Sequence, residues 1–165
     1  MITKESVEKA CLEVEAYTQD RMDAEFDRFF REQPEICKFV TQMMLESSRQ
    51  LHELALFLSF MIFKAAQLEA PGAGTSVDAD RIETAYRENE AWLDRISQIG
   101  EVTTGDVANA VGSEAEPHLI HYVISELNQP LETGGMLEDD QKGEAFFVLK
   151  TVISSLARRP CGPEA

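Results

Sequence analysis

Three potential metal ligands lie close together near position 118. Glu114, His118 and His121 are separated by four and then three residues, so a helix would place all three on one side. Zinc and iron both accept imidazole and carboxylate ligands together. This side points away from the apolar stripe that contains Ile120, so a metal ion there would need further ligands from another helix or a second subunit. The alternative interpretation is two solvated histidines beside a carboxylate.

Large apolar side chains at helical spacing form a second candidate site. They are Phe57, Phe60, Met61, Phe63 and Trp92. Such a set can line a pocket for an apolar small molecule or cover an interface with another protein. Ordinary packing of a helical core produces the same spacing, so the pattern alone does not choose between these roles.

Motifs for several common chemistries are missing from the sequence. There is no G-x-S-x-G, no G-x-x-x-x-G-K-[ST] and no G-x-G-x-x-G, which disfavours hydrolases of the nucleophile-elbow type and nucleotide-binding loops. No Glu is followed by His three residues later, which disfavours a carboxylate-bridged di-iron bundle. We therefore predict no cofactor.

The charge of the chain excludes further partners. Its 30 Asp and Glu residues outnumber 15 Lys and Arg residues, which gives a formal net charge of −15. A surface with this excess repels phosphate, so the sequence predicts no binding to nucleic acid or to an anionic membrane. The segment 34–68 carries no net charge, so the acidic residues belong to the outer layer of the fold.

The N-terminal residues and the cysteines favour a cytoplasmic protein. The first 17 residues contain no apolar run of the kind found in a signal peptide. Cys11, Cys37 and Cys161 are far apart and match no zinc or disulfide pattern. Cys11 and Cys37 lie on or beside apolar stripes and are expected to pack as small hydrophobic residues, whereas Cys161 is expected to be exposed.

Apolar periodicity predicts an all-α fold, a bundle of about five helices built around one long central helix (about 34–68). Apolar or small residues recur at steps of three and four through this segment, and Pro34 suits a first helical turn. With a preceding helix, this segment forms a predicted helical hairpin over 3–68. Two geometries stay open at Pro34, a tight turn back and a kinked continuation.

The remaining chain supplies the layer that must cover the central helix. We predict a linker over 69–77 and helices over 78–99, 113–128 and 138–159, all within a single all-α domain over 1–160. Residues 160–165 are expected to form a flexible tail. The apolar run that contains Phe57 and Phe60 is too short to span a bilayer, which needs about 20 residues, so it should be enclosed by other helices.

Three function classes remain. The leading hypothesis is a non-enzymatic cytoplasmic interaction or assembly protein, homodimeric because the Phe-rich half of the central helix exceeds what one amphipathic layer covers. The second is a helical module that binds an apolar small molecule beside Phe57, Phe60 and Trp92. The third is a metal-binding helical protein that uses Glu114, His118 and His121.

Overall fold

The computed structural model describes residues 1–72, 76–97 and 116–157, and these residues form seven helices and no strand. The predicted all-α fold is therefore confirmed. The helices are α1 (Lys4–Glu15), α2 (Gln19–Glu32), α3 (Pro34–Met43), α4 (Arg49–Glu69), α5 (Ala79–Ser97), α6 (Pro117–Leu127) and α7 (Asp139–Ala157).

Short polar side chains fix where several helices begin. The hydroxyls of Thr3, Thr18 and Ser48 accept the amide hydrogens of Ser6, Arg21 and Leu51, each at 3.2 Å. The Asp78 carboxylate accepts the Arg81 amide hydrogen at 2.8 Å in the same way. Each bond satisfies one amide that the first helical turn leaves without an internal partner.

The predicted continuous helix over 34–68 is wrong. The helix breaks after Met43 and resumes at Arg49, so α3 and α4 are separate helices joined by residues 44–48. Ser48 causes the restart because its hydroxyl caps α4, and serine competes for backbone amides in this way rather than sitting inside a helix. The apolar periodicity continues across the break, which is why the pattern alone did not show it.

The first arm of the predicted hairpin is also divided. Residues 16–18 separate α1 from α2, and Thr18 caps the second helix. At the predicted boundary before Pro34, only Gln33 leaves helical geometry, with φ −129° and ψ 57°. The Gln33 side chain is buried, and its Oε1 accepts the Val77 amide hydrogen at 2.9 Å, which ties the predicted linker 69–77 to this break.

Helix α4 is the most deeply buried element among the described residues. It contacts α1, α2, α3 and α7, most extensively α1 and α7. Phe60 stacks on Phe26 of α2 with ring centroids 4.4 Å apart, and Phe29 lies 5.2 Å from Phe63 and 6.0 Å from Phe60. The Phe-rich half of α4 is thus covered within the chain by α2.

A buried ion pair crosses this aromatic contact. The Lys64 ammonium lies 3.1 Å from the Glu25 carboxylate, which also pairs with Arg21 at 3.1 Å. Burial alone would lower the pKa of Lys64, but its contacts with Tyr17 and Glu25 outweigh that effect and raise the pKa. The charge is therefore kept inside the bundle by partners that compensate for lost hydration.

The last three helices agree in part with the predicted ranges. The predicted helix 78–99 corresponds to α5 and the predicted helix 138–159 to α7, and each begins one residue later than predicted. Residues 98–99 and 158–159 lie outside the described residues. Pro117 begins α6, while residues 113–115 of the predicted helix 113–128 lie outside the described residues, as do 98–112 and the predicted tail 160–165. Helix α7 contacts α4 on one side and α5 and α6 on the others.

The aromatic contact between α2 and α4 gives a direct stability prediction. We expect Phe29→Ala to lower the free energy of unfolding by about 3–5 kcal/mol, because Phe29 is fully buried and its loss leaves a cavity. The adjacent Phe30 is 43% exposed, so Phe30→Ala should cost about 1 kcal/mol or less. Urea unfolding followed by circular dichroism measures both. Equal losses in the two variants would contradict the described orientation of α2.

Glu69, the last residue of α4, holds the beginning of α1. Its Oε2 accepts hydrogen bonds from the Ser6 hydroxyl at 2.6 Å, the Thr3 amide at 3.0 Å and the Thr3 hydroxyl at 2.9 Å. These bonds favour the ionised carboxylate and lower the pKa of Glu69 to about 2. A group whose pKa is lower in the folded state adds stability above its unfolded pKa, and that stability is lost as the pH falls.

Replacing this carboxylate should therefore produce a pH-dependent loss. We expect Glu69→Gln to be less stable than the parent at pH 7 and to approach the parent as the pH falls from about 4.5 towards 2, where the parent also loses the charge. Glu8→Gln is a matched control, since Glu8 forms an exposed pair with Lys4. Thermal unfolding across this pH range provides the measurement, and a pH-independent difference would contradict the assignment.

Candidate functional site

The predicted metal ligands are only partly placed by the structure. His118 is half-buried and His121 is exposed on α6, while Ile120 between them is buried, as expected for opposite faces. Glu114 lies outside the described residues. Among the residues that the structure describes, no group of three His, Cys, Asp or Glu side chains could hold a metal ion. The Glu114, His118 and His121 site stays a prediction.

The predicted apolar residues fall into two separate places. Phe60, Met61 and Phe63 are buried in α4 and Phe57 is half-buried there, with the phenylalanines in ring contact with one another or with α2. Trp92 lies on α5, and its ring centroid is 6.5 Å from that of Phe146 on α7. In the described part of the chain no ring contact connects Trp92 with the phenylalanines of α4, and the role of these residues in an interface or pocket stays a prediction.

Helix α4 has a second property that bears on function. By length and composition it is the one helix, within the described ranges, that could cross a membrane. Ten of its residues are nevertheless buried inside the bundle, and a core helix with this composition has the same overall hydropathy.

The two described cysteines do not offer a reactive thiol. Cys37 is buried on α3 and Cys11 is half-buried on α1, in line with their predicted role as small hydrophobic residues. Loss of hydration raises the pKa of both thiols, that of Cys37 to about 12. Both are therefore protonated near pH 7, and the thiol form is a poor nucleophile and a poor metal ligand. Cys161 lies outside the described residues.

A cleft of about 420 Å³ lies between α5, α6 and α7, and its volume is within the range typical of small-molecule sites. Its lining residues come from all three helices and from the residue before α6: Glu88, Asn89, Ala91, Trp92, Arg95, Glu116, Ile120, Lys150, Ser154 and Ala157. Ala91, Ser154 and Ala157 contribute small side chains to this lining.

Lys150 is the most unusual residue of this cleft, because its side chain is only 4% exposed. Its ammonium donates a hydrogen bond to Asn89 Oδ1 at 2.7 Å and lies 4.6 Å from the centroid of the Trp92 ring. An ammonium above an indole face is attracted by the ring's negative charge density. Lys150 therefore links α7 to α5 through two neighbouring side chains of one helix.

The Asn89 amide is fixed from both sides. Its carbonyl oxygen accepts from Lys150, and its Nδ2 donates to the Thr151 hydroxyl at 3.2 Å. The Thr151 hydroxyl in turn donates to the Phe147 carbonyl oxygen at 3.0 Å. Because both ends of the amide are engaged, the orientation of Asn89 is set, and the position of the Lys150 ammonium with it.

Glu116 forms the opposite wall of the cleft and is also buried. Its Oε2 accepts the Ile2 amide hydrogen at 2.6 Å, and its Oε1 lies 3.8 Å from the amino group of Met1. Glu116 directly precedes Pro117, the first residue of α6, where the helix dipole favours a negative charge. Its carboxylate is thus stabilised by the chain itself.

Sequence reasoning missed Lys150, Asn89 and Glu116 as parts of one site. A signal for Lys150 was present, because it is the one charged residue between Phe146 and Leu156 in an otherwise apolar and small-residue helix. The same signal marks Lys64 in the apolar run of α4. A lysine inside such a run predicts a buried ammonium, but only the fold shows which other helix provides its partners.

No family model matches this chain, and no curated protein or solved structure matches it either. The fold and the cleft describe an all-α protein with a cleft whose lining contains a buried lysine. Its function has to be argued from these side chains.

The hydrogen bonds of Asn89 make a stability prediction for the cleft. We expect Asn89→Ala to lower the free energy of unfolding by about 1–3 kcal/mol, because it removes one acceptor from a buried ammonium and one donor from Thr151. Glu90→Ala, at the neighbouring exposed position, should change it by about 0.5 kcal/mol or less. Chemical denaturation measures the free energy of unfolding of both variants. A loss in Asn89→Ala no larger than in the control would contradict the described network.

Proposed function

We propose that this chain is a non-enzymatic, cytoplasmic protein that binds a small molecule in the cleft between α5, α6 and α7. The observation that carries the proposal is a cleft of about 420 Å³ with the Trp92 ring and the buried Lys150 ammonium side by side in its lining. Ligand sites commonly combine apolar walls with a few fixed polar groups. Asn89 holds Lys150 in position before any ligand arrives, which lowers the entropic cost of binding.

This proposal is placed ahead of the homodimer for a structural reason. The excess apolar surface that motivated a partner was the Phe-rich half of the central helix. Phe26 and Phe29 of α2 pack against Phe60 and Phe63 there, so this surface needs no second copy to cover it. Homodimerisation stays a separate prediction, which light scattering behind a sizing column tests directly.

The single tryptophan makes the cleft easy to observe. Trp92 is the one tryptophan of the chain and lies in the cleft lining, so its emission reports on occupancy. N-Phenyl-1-naphthylamine is a suitable first probe because it is uncharged and fluoresces in apolar surroundings. We expect saturable binding near one probe per chain, with a rise in probe emission and a fall in Trp92 emission through energy transfer.

A matched pair of variants locates the binding. Ala91→Phe places a large side chain in the cleft lining and should weaken probe binding about tenfold or more, equivalent to about 1.4 kcal/mol. Ala24→Phe makes the same change at an exposed position on α2 and should leave binding unchanged. Equal binding in both variants, or no saturable binding to the parent protein, would exclude the cleft as the site.

A further inference from the structure

We propose that residues 1–3, the N-terminal strap, control how tightly the cleft between α5, α6 and α7 binds its ligand. The strap is bonded to Glu116, which is one of the residues that line the cleft. This wall of the cleft is fixed when the strap is docked and is free to move when the strap is released. The inference rests on the proposed function and adds a regulatory contact from outside the described lining.

The first contact of the strap is with Glu116, at the beginning of α6. Glu116 is 6% exposed, and its Oε2 accepts the Ile2 amide hydrogen at 2.6 Å. A side chain at this helix position commonly accepts an amide hydrogen of its own first turn. The Glu116 carboxylate instead reaches the strap, and none of the described α6 amides donates to it. Its position therefore depends on a segment that lies 114 residues away in the sequence.

The second contact holds the other end of the strap against α4. The Thr3 amide and the Thr3 hydroxyl both donate to Glu69 Oε2, at 3.0 and 2.9 Å. Glu69 is the last residue of α4 and is not among the described residues that line the cleft. The strap thus joins the end of α4 to the beginning of α6.

The Ile2 side chain anchors the strap between these two carboxylates. It is 5% exposed and belongs to the same hydrophobic core as Ile120, a residue of the cleft lining. Burial of this side chain favours the docked position. Release of the strap does not require α1 to unfold, because Val7, Ala10 and Val14 bury the rest of that helix. The strap is therefore a unit that docks and leaves on its own.

Docking favours binding because it fixes the Glu116 wall before a ligand arrives. A site whose walls are already fixed loses less conformational entropy on binding. Where the docked form is the one that binds well, the apparent affinity falls in proportion to the docked fraction. The coupling also acts in the other direction, so an occupied cleft favours the docked strap by the same factor.

Two variants loosen the strap without changing the described lining of the cleft. Ile2→Asp places a charge in a buried position beside the Glu116 carboxylate, and we expect it to weaken N-phenyl-1-naphthylamine binding about tenfold. Glu69→Gln removes the charge that holds the other end and should weaken binding by a smaller factor of about two to three. Leu12→Asp adds a charge at an exposed position of α1, and Glu8→Gln removes one from an exposed pair. Both controls should bind the probe like the parent.

Amide hydrogen exchange tests the coupling on the unmodified protein. We expect saturation with the probe to slow exchange of the Thr3 amide about threefold or more, as measured by NMR. The Arg21 amide is a matched control, because it also begins a helix and donates to the Thr18 hydroxyl at 3.2 Å. Its exchange rate should not change. In Ala91→Phe, which fills the cleft, the probe should leave Thr3 exchange unchanged.

The outcomes separate this inference from the proposed function. Parent-like binding in both strap variants, or an unchanged Thr3 exchange rate in the probe-bound parent, would overturn control by the strap and leave the ligand site supported. Tighter binding in Ile2→Asp would mean that the strap obstructs the cleft and would also overturn the inference. A parent protein that binds no probe would overturn both. Circular dichroism checks folding, and if Ile2→Asp does not fold, Glu69→Gln and the exchange rates decide.

Discussion

The burial of α4 is the constraint on which the rest of the structure depends. Its residues from Leu58 to Ala65 are buried without interruption, so no side of that stretch can face water. An amphipathic neighbour covers one side only, and α4 therefore needs several: α1, α2, α3 and α7 all contact it. The division of the N-terminal 43 residues into three short helices follows from this need, because a single straight arm could not follow more than one side of α4.

The same packing places two lysines in the interior, Lys64 and Lys150. Lys64 lies in the buried stretch of α4 and meets an ionised partner, Glu25, across the α2–α4 contact. Lys150 lies on α7, donates a hydrogen bond to the Asn89 amide and lies over the Trp92 ring, both on α5. The first arrangement joins two helices inside the core. The second places Lys150 in the lining of the cleft between α5, α6 and α7.

Apolar periodicity predicted the helical class and the approximate ranges of α5 and α7. Apolar residues that recur about every 3.6 positions form one helix face, and this spacing can be read from the local sequence alone. It failed at Ser48, where a side-chain hydroxyl caps a new helix although the apolar stripe continues. The cleft could not be predicted at all. Its residues come from positions 88–95, 116–120 and 150–157, and no local pattern indicates that these segments meet. Lys150 alone carried a local signal, as a charge within an apolar helix.

The small residues around Lys150 complete the argument for a site. Interiors of proteins are close-packed, and unfilled volume lowers stability. Larger apolar side chains at Ala91, Ser154 and Ala157 would fill the cleft, and an apolar residue in place of Lys150 would remove the need to stabilise a buried charge. The sequence has neither change. A protein that keeps open space and a fixed ammonium together departs from the rules of stable packing at one location, and such departures are expected where a protein binds its ligand.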